Sequence, residues 1–151
     1  MLAIHDANFQ LDEAPVLLFE LKNDSARVLL SSFGATLQSF EISVPGFEKR
    51  DIVLGYSDWV TYKELFDQKQ SAYFGAIVGP IAGRITEAKI PWKDGVFDFE
   101  PNEGRQLLHG GRRNFSNVNW QLLSYAEKPY PSVTLCIDTK RAGIVLPGNL
   151  R

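Results

Sequence analysis

The stretch Tyr73–Gly111 decides the predicted fold, and its first part reads Tyr73-Phe74-Gly75-Ala76-Ile77-Val78-Gly79-Pro80-Ile81-Ala82-Gly83-Arg84-Ile85. Its last part reads Asn102-Glu103-Gly104-Arg105-Gln106-Leu107-Leu108-His109-Gly110-Gly111. Glycine lets the backbone pack closely or adopt a positive φ, and glycines recur in both parts. Near the end of each part stands one side chain that can hydrogen-bond to an oxygen-rich ligand. These side chains are Arg84 and His109.

Short apolar or alternating runs recur about every ten residues before this stretch. Turn chemistry separates them, as in Lys22-Asn23-Asp24-Ser25 and Pro45-Gly46. This spacing is typical of an antiparallel all-β sandwich or barrel and not of β-α-β units. We therefore expect an all-β fold in which the first strands cover Val16–Leu21, Arg27–Ser31, Thr36–Val44 and Asp51–Leu54.

One segment has a helical pattern. Within residues 59–70, Trp59, Tyr62 and Phe66 fall near the spacing of one helix face, and Asp58 stands where an N-cap belongs. We expect a helix of a turn or two at most.

The chain after Arg84 predicts two more strand pairs. Asp94-Gly95 is a strong signal for a type I′ hairpin, because both central residues of that turn need positive φ. Phe97 and Phe99 then share one face of the returning strand. Val118–Tyr125 and Ser132–Asp138 form a further predicted pair.

Length and composition indicate one domain covering residues 1–151. The chain is 44% hydrophobic and 23% charged, with no apolar run near the roughly 18 residues of a membrane span. A net charge of -2 and the lack of a Lys/Arg block argue against a nucleic-acid partner. We expect neither a membrane nor a nucleic acid as partner.

The single cysteine excludes an internal disulfide framework. Cys136 lies in an apolar alternating run, where it acts as a small hydrophobe, and a reducing compartment fits it best. Residues 1–10 carry His5 and Asp6 instead of a basic region followed by an apolar one, so no signal peptide is visible. We expect a cytoplasmic protein.

Arg84 and His109 are the candidate ligand-binding residues. The guanidinium of Arg84 is a permanently charged fork of five donors that suits hydroxyl or carboxylate oxygens. The imidazole of His109, at a strand end before Gly110-Gly111, can donate to a substrate oxygen or exchange a proton near neutral pH. The alternatives are a solvated surface arginine and a histidine that only satisfies backbone groups at a turn.

The sequence lacks the residue patterns that metal, nucleotide and serine-nucleophile sites require. With two histidines and one cysteine there is no cluster with zinc-ligand spacing, so we expect no metal. No phosphate loop ending in Lys-Ser/Thr occurs, and Gly75, Gly79 and Gly83 do not match a dinucleotide fingerprint. A Gly-x-Ser-x-Gly elbow is also absent from the sequence. We expect no cofactor.

The motifs taken together resemble the aldose 1-epimerase (galactose mutarotase) family. Each motif alone is weak, but the ordered set is specific and covers most of the chain from about Arg27 onward. The matching segments, in family order, are Phe33-Gly34-Ala35-Thr36-Leu37, Asp51-Ile52-Val53-Leu54-Gly55-Tyr56, Tyr73-Phe74-Gly75-Ala76, Ala82-Gly83-Arg84-Ile85, Asn102-Glu103-Gly104, Leu108-His109-Gly110-Gly111, Trp120 and, loosely, Pro147-Gly148-Asn149-Leu150.

This resemblance implies a large antiparallel β-sandwich whose open concave face binds a free aldohexose without metal or cofactor. It implies that Arg84 and His109 are sugar ligands, with Gly83 standing where many members have an asparagine. Pro80 stands where many members have an arginine, so fewer side chains are available as donors to the sugar. In the family a glutamate takes the anomeric proton while a histidine protonates the ring oxygen. Family members run on for about as long again, and both catalytic groups belong to that later half.

The sequence therefore leads to the hypothesis of an N-terminal half of an aldose 1-epimerase-like protein, with no catalytic residue of its own and little activity alone. Glu87 and Glu103 have no spacing that supports a substitute base. The alternatives are a non-catalytic sugar-binding or sugar-sensing module, and a structural subunit that binds no sugar. Half a sandwich exposes apolar faces and unpaired edges, so we expect self-association or a partner that supplies the missing strands.

Overall fold

The first five strands form the largest sheet of the structure, which is a computed structural model and describes residues 1–68, 70 and 72–140. Each strand pairs antiparallel with the next in chain order. The strands are β1 (Leu2–Leu11), β2 (Ala14–Lys22), β3 (Ala26–Ser31), β4 (Thr36–Ile42) and β5 (Arg50–Asp51).

The rest of the described chain consists of one α-helix, two 3-10 turns and three antiparallel strand pairs. β6 pairs with β9, β7 with β8, and β10 with β11. The elements are α1 (Trp59–Asp67), β6 (Arg84–Ile85), a 3-10 turn (Thr86–Ala88), β7 (Lys89–Trp92), β8 (Gly95–Asp98), β9 (Leu107–Leu108), a second 3-10 turn (Phe115–Asn117), β10 (Gln121–Ala126) and β11 (Ser132–Cys136). The predicted all-β, antiparallel class is confirmed.

Strand β1 was not predicted. It is an edge strand, and its pairing with β2 slips between Asp6 and Gln10, where Asn8 adopts a φ of +60°. This irregularity turns Ala7 and Phe9 toward the core. An interrupted edge strand carries no clean two-residue alternation, so its sequence gave no strand signal.

The predicted strand Asp51–Leu54 is wrong beyond its first residue. The Asp51 carboxylate accepts the backbone N–H groups of Phe40 and Val53, at 2.9 and 3.0 Å. A side chain that takes backbone donors in this way ends a strand and starts a turn. Ile52 and Leu54 are consequently exposed.

Helix α1 confirms the helical pattern and its cap. The Asp58 carboxylate accepts the Thr61 N–H at 2.8 Å, and the nine helical residues make about two and a half turns, slightly more than expected. The predicted face, Trp59, Tyr62 and Phe66, packs on the core cluster of Val16 and Phe33. Aromatic packing thus fixes the helix against the sheet.

The β7–β8 hairpin is present, but its turn lies one residue earlier than predicted. Trp92 pairs with Gly95, so Lys93 and Asp94 form the turn and Lys93 takes the positive φ, at +50°. Phe97 and Phe99 are in ring contact, as their predicted shared face requires.

Gly75 provides the most sensitive test of how the Tyr73–Ile85 segment packs on β4. Its φ is +64°, its carbonyl accepts the Leu37 N–H at 2.9 Å, and a Cβ there would lie 1.9 Å from the Leu37 carbonyl oxygen. We predict that Gly75→Ala lowers the free energy of unfolding by about 3 kcal/mol or more, since strained φ and backbone overlap add.

Gly46→Ala is the matched control, because Gly46 has a φ of +80° but no atom within 4 Å of an added Cβ. Its expected loss is about 1 kcal/mol, from the backbone conformation alone. Urea unfolding followed by tryptophan fluorescence measures both variants, and equal losses would contradict the packing argument.

Candidate functional site

The short β6–β9 pair brings Gly83, Arg84 and His109 together. Arg84 pairs with Leu108 across the two strands. At the end of the pair, the His109 N–H donates to the Gly83 carbonyl at 2.9 Å, and the Gly83 N–H donates to His109 Nδ1 at 3.1 Å. Residues 26 positions apart are thus joined by two reciprocal hydrogen bonds.

The Gly83 contact fixes the hydrogen-bonding state of the imidazole. A backbone N–H can only donate, so Nδ1 must be the acceptor, and in neutral His109 the proton sits on Nε2. Gly83 has a φ of +87° and no atom within 4 Å of an added Cβ, so this position has room beside the pair. The site therefore offers Nε2–H as a donor.

Asn102 holds β9 in place from the preceding turn. Its Nδ2 donates to the Leu108 carbonyl at 3.0 Å, and its Oδ1 accepts the Leu108 N–H at 2.7 Å. The amide therefore completes the backbone hydrogen bonding of Leu108 much as a third strand would. The sequence singled out Asn102 as part of a family motif, and in the structure its amide supports the backbone of Leu108, the residue before His109.

Arg84 forms a two-point ion pair with Glu103. Nη2 donates to Oε1 at 2.7 Å, and Nε donates to Oε2 of the same carboxylate. Hydrogen bonding to Arg84 lowers the pKa of Glu103, and the same contact raises the pKa of Arg84. Both side chains are exposed, so the pair is screened by water and shapes the charge of the site more than its stability.

His109 contacts an aromatic ring and lies within electrostatic range of this ion pair. The Tyr73 ring meets the imidazole edge-on, with centroids 4.8 Å apart. Partial burial lowers the pKa of His109, the Arg84 charge lowers it further, and the Glu103 charge partly opposes both. Burial also raises the pKa of Tyr73, with a smaller contribution from Glu103. The neutral imidazole is the favoured form.

A cleft of about 490 Å³ adjoins the Arg84–His109 pair. Glu103 and Tyr73, which contact the pair, both line it. Its volume falls within the usual range of small-molecule sites. The lining residues are Phe66, Asp67, Tyr73, Pro101, Asn102, Glu103, Leu108, Gly111, Arg112 and Asn114. Arg84, His109 and Gly83 are not among these lining residues, and they are also absent from a smaller cavity of about 280 Å³ between the β1–β2 turn and β10.

The residues singled out from sequence, Arg84, His109 and Gly83, therefore lie side by side, while the contributions of Tyr73 and Glu103 were missed. No spacing of sequence motifs predicts the Tyr73–His109 contact or the Glu103–Arg84 contact. Glu87, also considered as a base, forms an ion pair with Arg105 instead. Within the described part of the chain there is no group of three or more potential metal ligands and no helix long and apolar enough to cross a bilayer.

Comparisons with known proteins agree with this architecture. A sequence model of the aldose 1-epimerase family matches residues 17–151. Pig (Sus scrofa) galactose mutarotase is 32% identical over 102 residues, covering 68% of this chain and 28% of that protein. Aldose 1-epimerase of Escherichia coli is 29% identical over 140 residues, covering 92% of this chain and 38% of that protein. The crystal structure of an aldose epimerase homologue from C. elegans superposes with a TM-score of 0.68 at 25% identity, covering 83% of this chain and 37% of the other.

These findings define an antiparallel β-sandwich of the mutarotase type. The chain belongs to the aldose 1-epimerase family. It spans 28% to 38% of the length of the curated relatives it matches. The loosely matching segment Pro147-Gly148-Asn149-Leu150 lies outside the described residues.

The environment of His109 generates a pH prediction. Because burial and Arg84 lower its pKa, we expect its imidazole to titrate below the ordinary histidine value in an NMR titration. The unfolded chain then binds more protons, so stability falls as the pH drops through the ordinary histidine range toward the folded-state pKa.

His109→Gln is expected to remove this part of the pH dependence of stability. The variant also assigns the imidazole resonance of His109, because His5 is the only other histidine in the sequence. A His109 pKa at or above the ordinary value would contradict the described environment.

Proposed function

We propose that this chain forms one wall of the sugar site of an aldose 1-epimerase and binds a free aldohexose in the cleft beside Arg84 and His109. The observation that supports the proposal is the reciprocal Gly83–His109 hydrogen bonding, which holds the imidazole at the end of the strand pair that carries Arg84. In this proposal Gly83 contributes through its backbone, as a positioning residue.

The chemistry of the two ligands suits a polyhydroxylated ring. Nε2–H of neutral His109 is a donor, and Nη1 of Arg84 takes no part in the Glu103 pair, so each can bond to a sugar oxygen. Tyr73 and Phe66 give the cleft apolar ring surface. A few placed donors against an apolar wall is the usual composition of a small-molecule site.

The proposed reaction of the whole protein is the interconversion of α and β anomers of a galactose- or glucose-type sugar. Ring opening needs a base at the anomeric hydroxyl and an acid at the ring oxygen, both within hydrogen-bond reach. We assign neither role to this chain. Arg84 and His109 bind and orient the sugar, and the proton-transfer pair belongs to the part of the family that this chain does not match.

A second candidate function, a non-catalytic sugar-binding or sugar-sensing module, is favoured by one observation. Both carboxylates that line the cleft are ion-paired, Glu103 with Arg84 and Asp67 with Lys63. The Arg84 contact lowers the pKa of Glu103, which weakens it as a base. The described cleft is thus better equipped to hold a sugar than to open its ring.

Binding is tested by titrating the full 151-residue chain with D-galactose and D-glucose while following the amide resonances of Gly83 and His109. We predict that Arg84→Ala and His109→Ala each weaken binding by about tenfold or more, since each removes a polar or charged hydrogen bond to the sugar. Arg105→Ala is the matched control, because this arginine pairs with Glu87, whereas Arg84 pairs with Glu103, which lines the cleft.

Polarimetry on freshly dissolved α-D-galactose separates the two candidates. Acceleration of mutarotation that is abolished by His109→Ala supports catalysis, whereas binding without acceleration supports the module. Absence of binding for both sugars would overturn the proposal and favour a structural role.

Exposed apolar side chains in and after β10 generate a further prediction. Leu123 and Tyr125 in β10 are 66% and 61% exposed, and Tyr130 in the connection to β11 is 76% exposed. We propose that this apolar face is covered by a second copy of the chain or by strands supplied by a partner. Size-exclusion chromatography should show concentration-dependent association that Leu123→Lys reduces, and a compact monomer at all concentrations would contradict it.

A further inference from the structure

The sugar-binding proposal does not explain why the Glu103 carboxylate pairs with Arg84. The Glu103 carboxylate bonds to both Nε and Nη2 of Arg84, which form one edge of the guanidinium. This two-nitrogen edge is the one that best fits a carboxylate or phosphate. In this structure the Glu103 carboxylate already occupies that edge.

The other charges of the cleft are also paired within the protein. Arg112, which lines the cleft, forms an ion pair with Glu100 at 2.9 Å. Asp67 on the same lining pairs with Lys63 at 2.5 Å. Arg112 on the cleft lining and Arg84 beside it are therefore both paired with carboxylates, and Glu103 lines the space that a ligand enters.

We propose that Glu103 is a specificity-determining residue that reserves the cleft for uncharged sugars and excludes sugars that carry a carboxylate or phosphate group. The proposal rests on the sugar-binding function proposed above, and it adds the reason for the charge preference. An anionic substituent must displace Glu103 from Arg84 or approach it against like charge, and both cost binding free energy. A sugar hydroxyl needs only one donor, which Nη1 supplies without disturbing the pair.

The electrostatic influence of Glu103 extends to Tyr73 and His109. The Glu103 charge acts on the pKa values of both groups. Glu103 thus lies within electrostatic reach of every candidate ligand, so a change at this one position alters the field across the cleft.

The test compares the wild-type chain with Glu103→Gln, which keeps the shape of the side chain and removes its charge. Glu87→Gln is the matched control, since it removes the same charge from an exposed arginine pair that does not line the cleft. Each protein is titrated with D-galactose, with D-galacturonate, which differs by a carboxylate at C6, and with inorganic phosphate. The readouts are dissociation constants from amide shifts and the Nε–H resonance of Arg84.

We expect Glu103→Gln to raise affinity for D-galacturonate relative to D-galactose about fivefold and to let phosphate shift the Arg84 Nε–H resonance. The wild type and Glu87→Gln should show neither effect. Unchanged relative affinity in a protein that binds D-galactose would overturn the inference and leave the proposed function standing.

The phosphate titration tests the inference even if the wild type binds no neutral sugar. Failure to bind a neutral sugar would overturn only the proposed function. A phosphate response at Arg84 that is the same in the wild type and in Glu103→Gln shows that Glu103 does not exclude anions, and this result overturns the inference. A response confined to Glu103→Gln supports it.

Discussion

The candidate site depends on the reciprocal hydrogen bonds between Gly83 and His109. Two backbone groups and one ring nitrogen satisfy one another there, so the imidazole is held by the same contact that closes the β6–β9 pair. Because the backbone N–H donates to Nδ1, Nε2 must carry the proton in the neutral ring. One interaction therefore fixes the position, orientation and tautomer of His109.

Arg84 is positioned by a different force. Its backbone is fixed by pairing with Leu108, but its guanidinium is oriented by Glu103 in an exposed, two-point ion pair. Exposed pairs contribute little to folding, because water screens the attraction and both long side chains lose freedom. The effect of this pair is local. It holds the Nε–Nη2 edge of the guanidinium against the Glu103 carboxylate.

The proposed function divides the sugar site between this chain and the part of the family that it does not match. The candidate ligands lie on a short strand pair, and the chain spans 28% to 38% of the length of its curated relatives. Acid–base chemistry on a sugar requires both proton-transfer groups within hydrogen-bond reach of the reacting oxygens. In the proposed function these groups are separate from Arg84 and His109, which hold the sugar.

The sequence by itself determined the elements that depend on neighbouring residues. The Asp58 cap and the face formed by Trp59, Tyr62 and Phe66 set α1, and the regular strand spacing set the all-β class. These signals are readable because capping and amphipathic periodicity act over a few positions. The ordered family motifs likewise singled out Arg84, Gly83 and His109.

Only the tertiary structure decided the rest. Edge strand β1 exists because β2 pairs with it, and the strand predicted at Asp51 ends early because a carboxylate takes the N–H of Phe40 from another strand. The Glu103–Arg84 pair joins residues 19 positions apart, and the Tyr73–His109 contact joins residues still farther apart. No local rule encodes such contacts, because they form only when separate segments of the chain fold back onto one another.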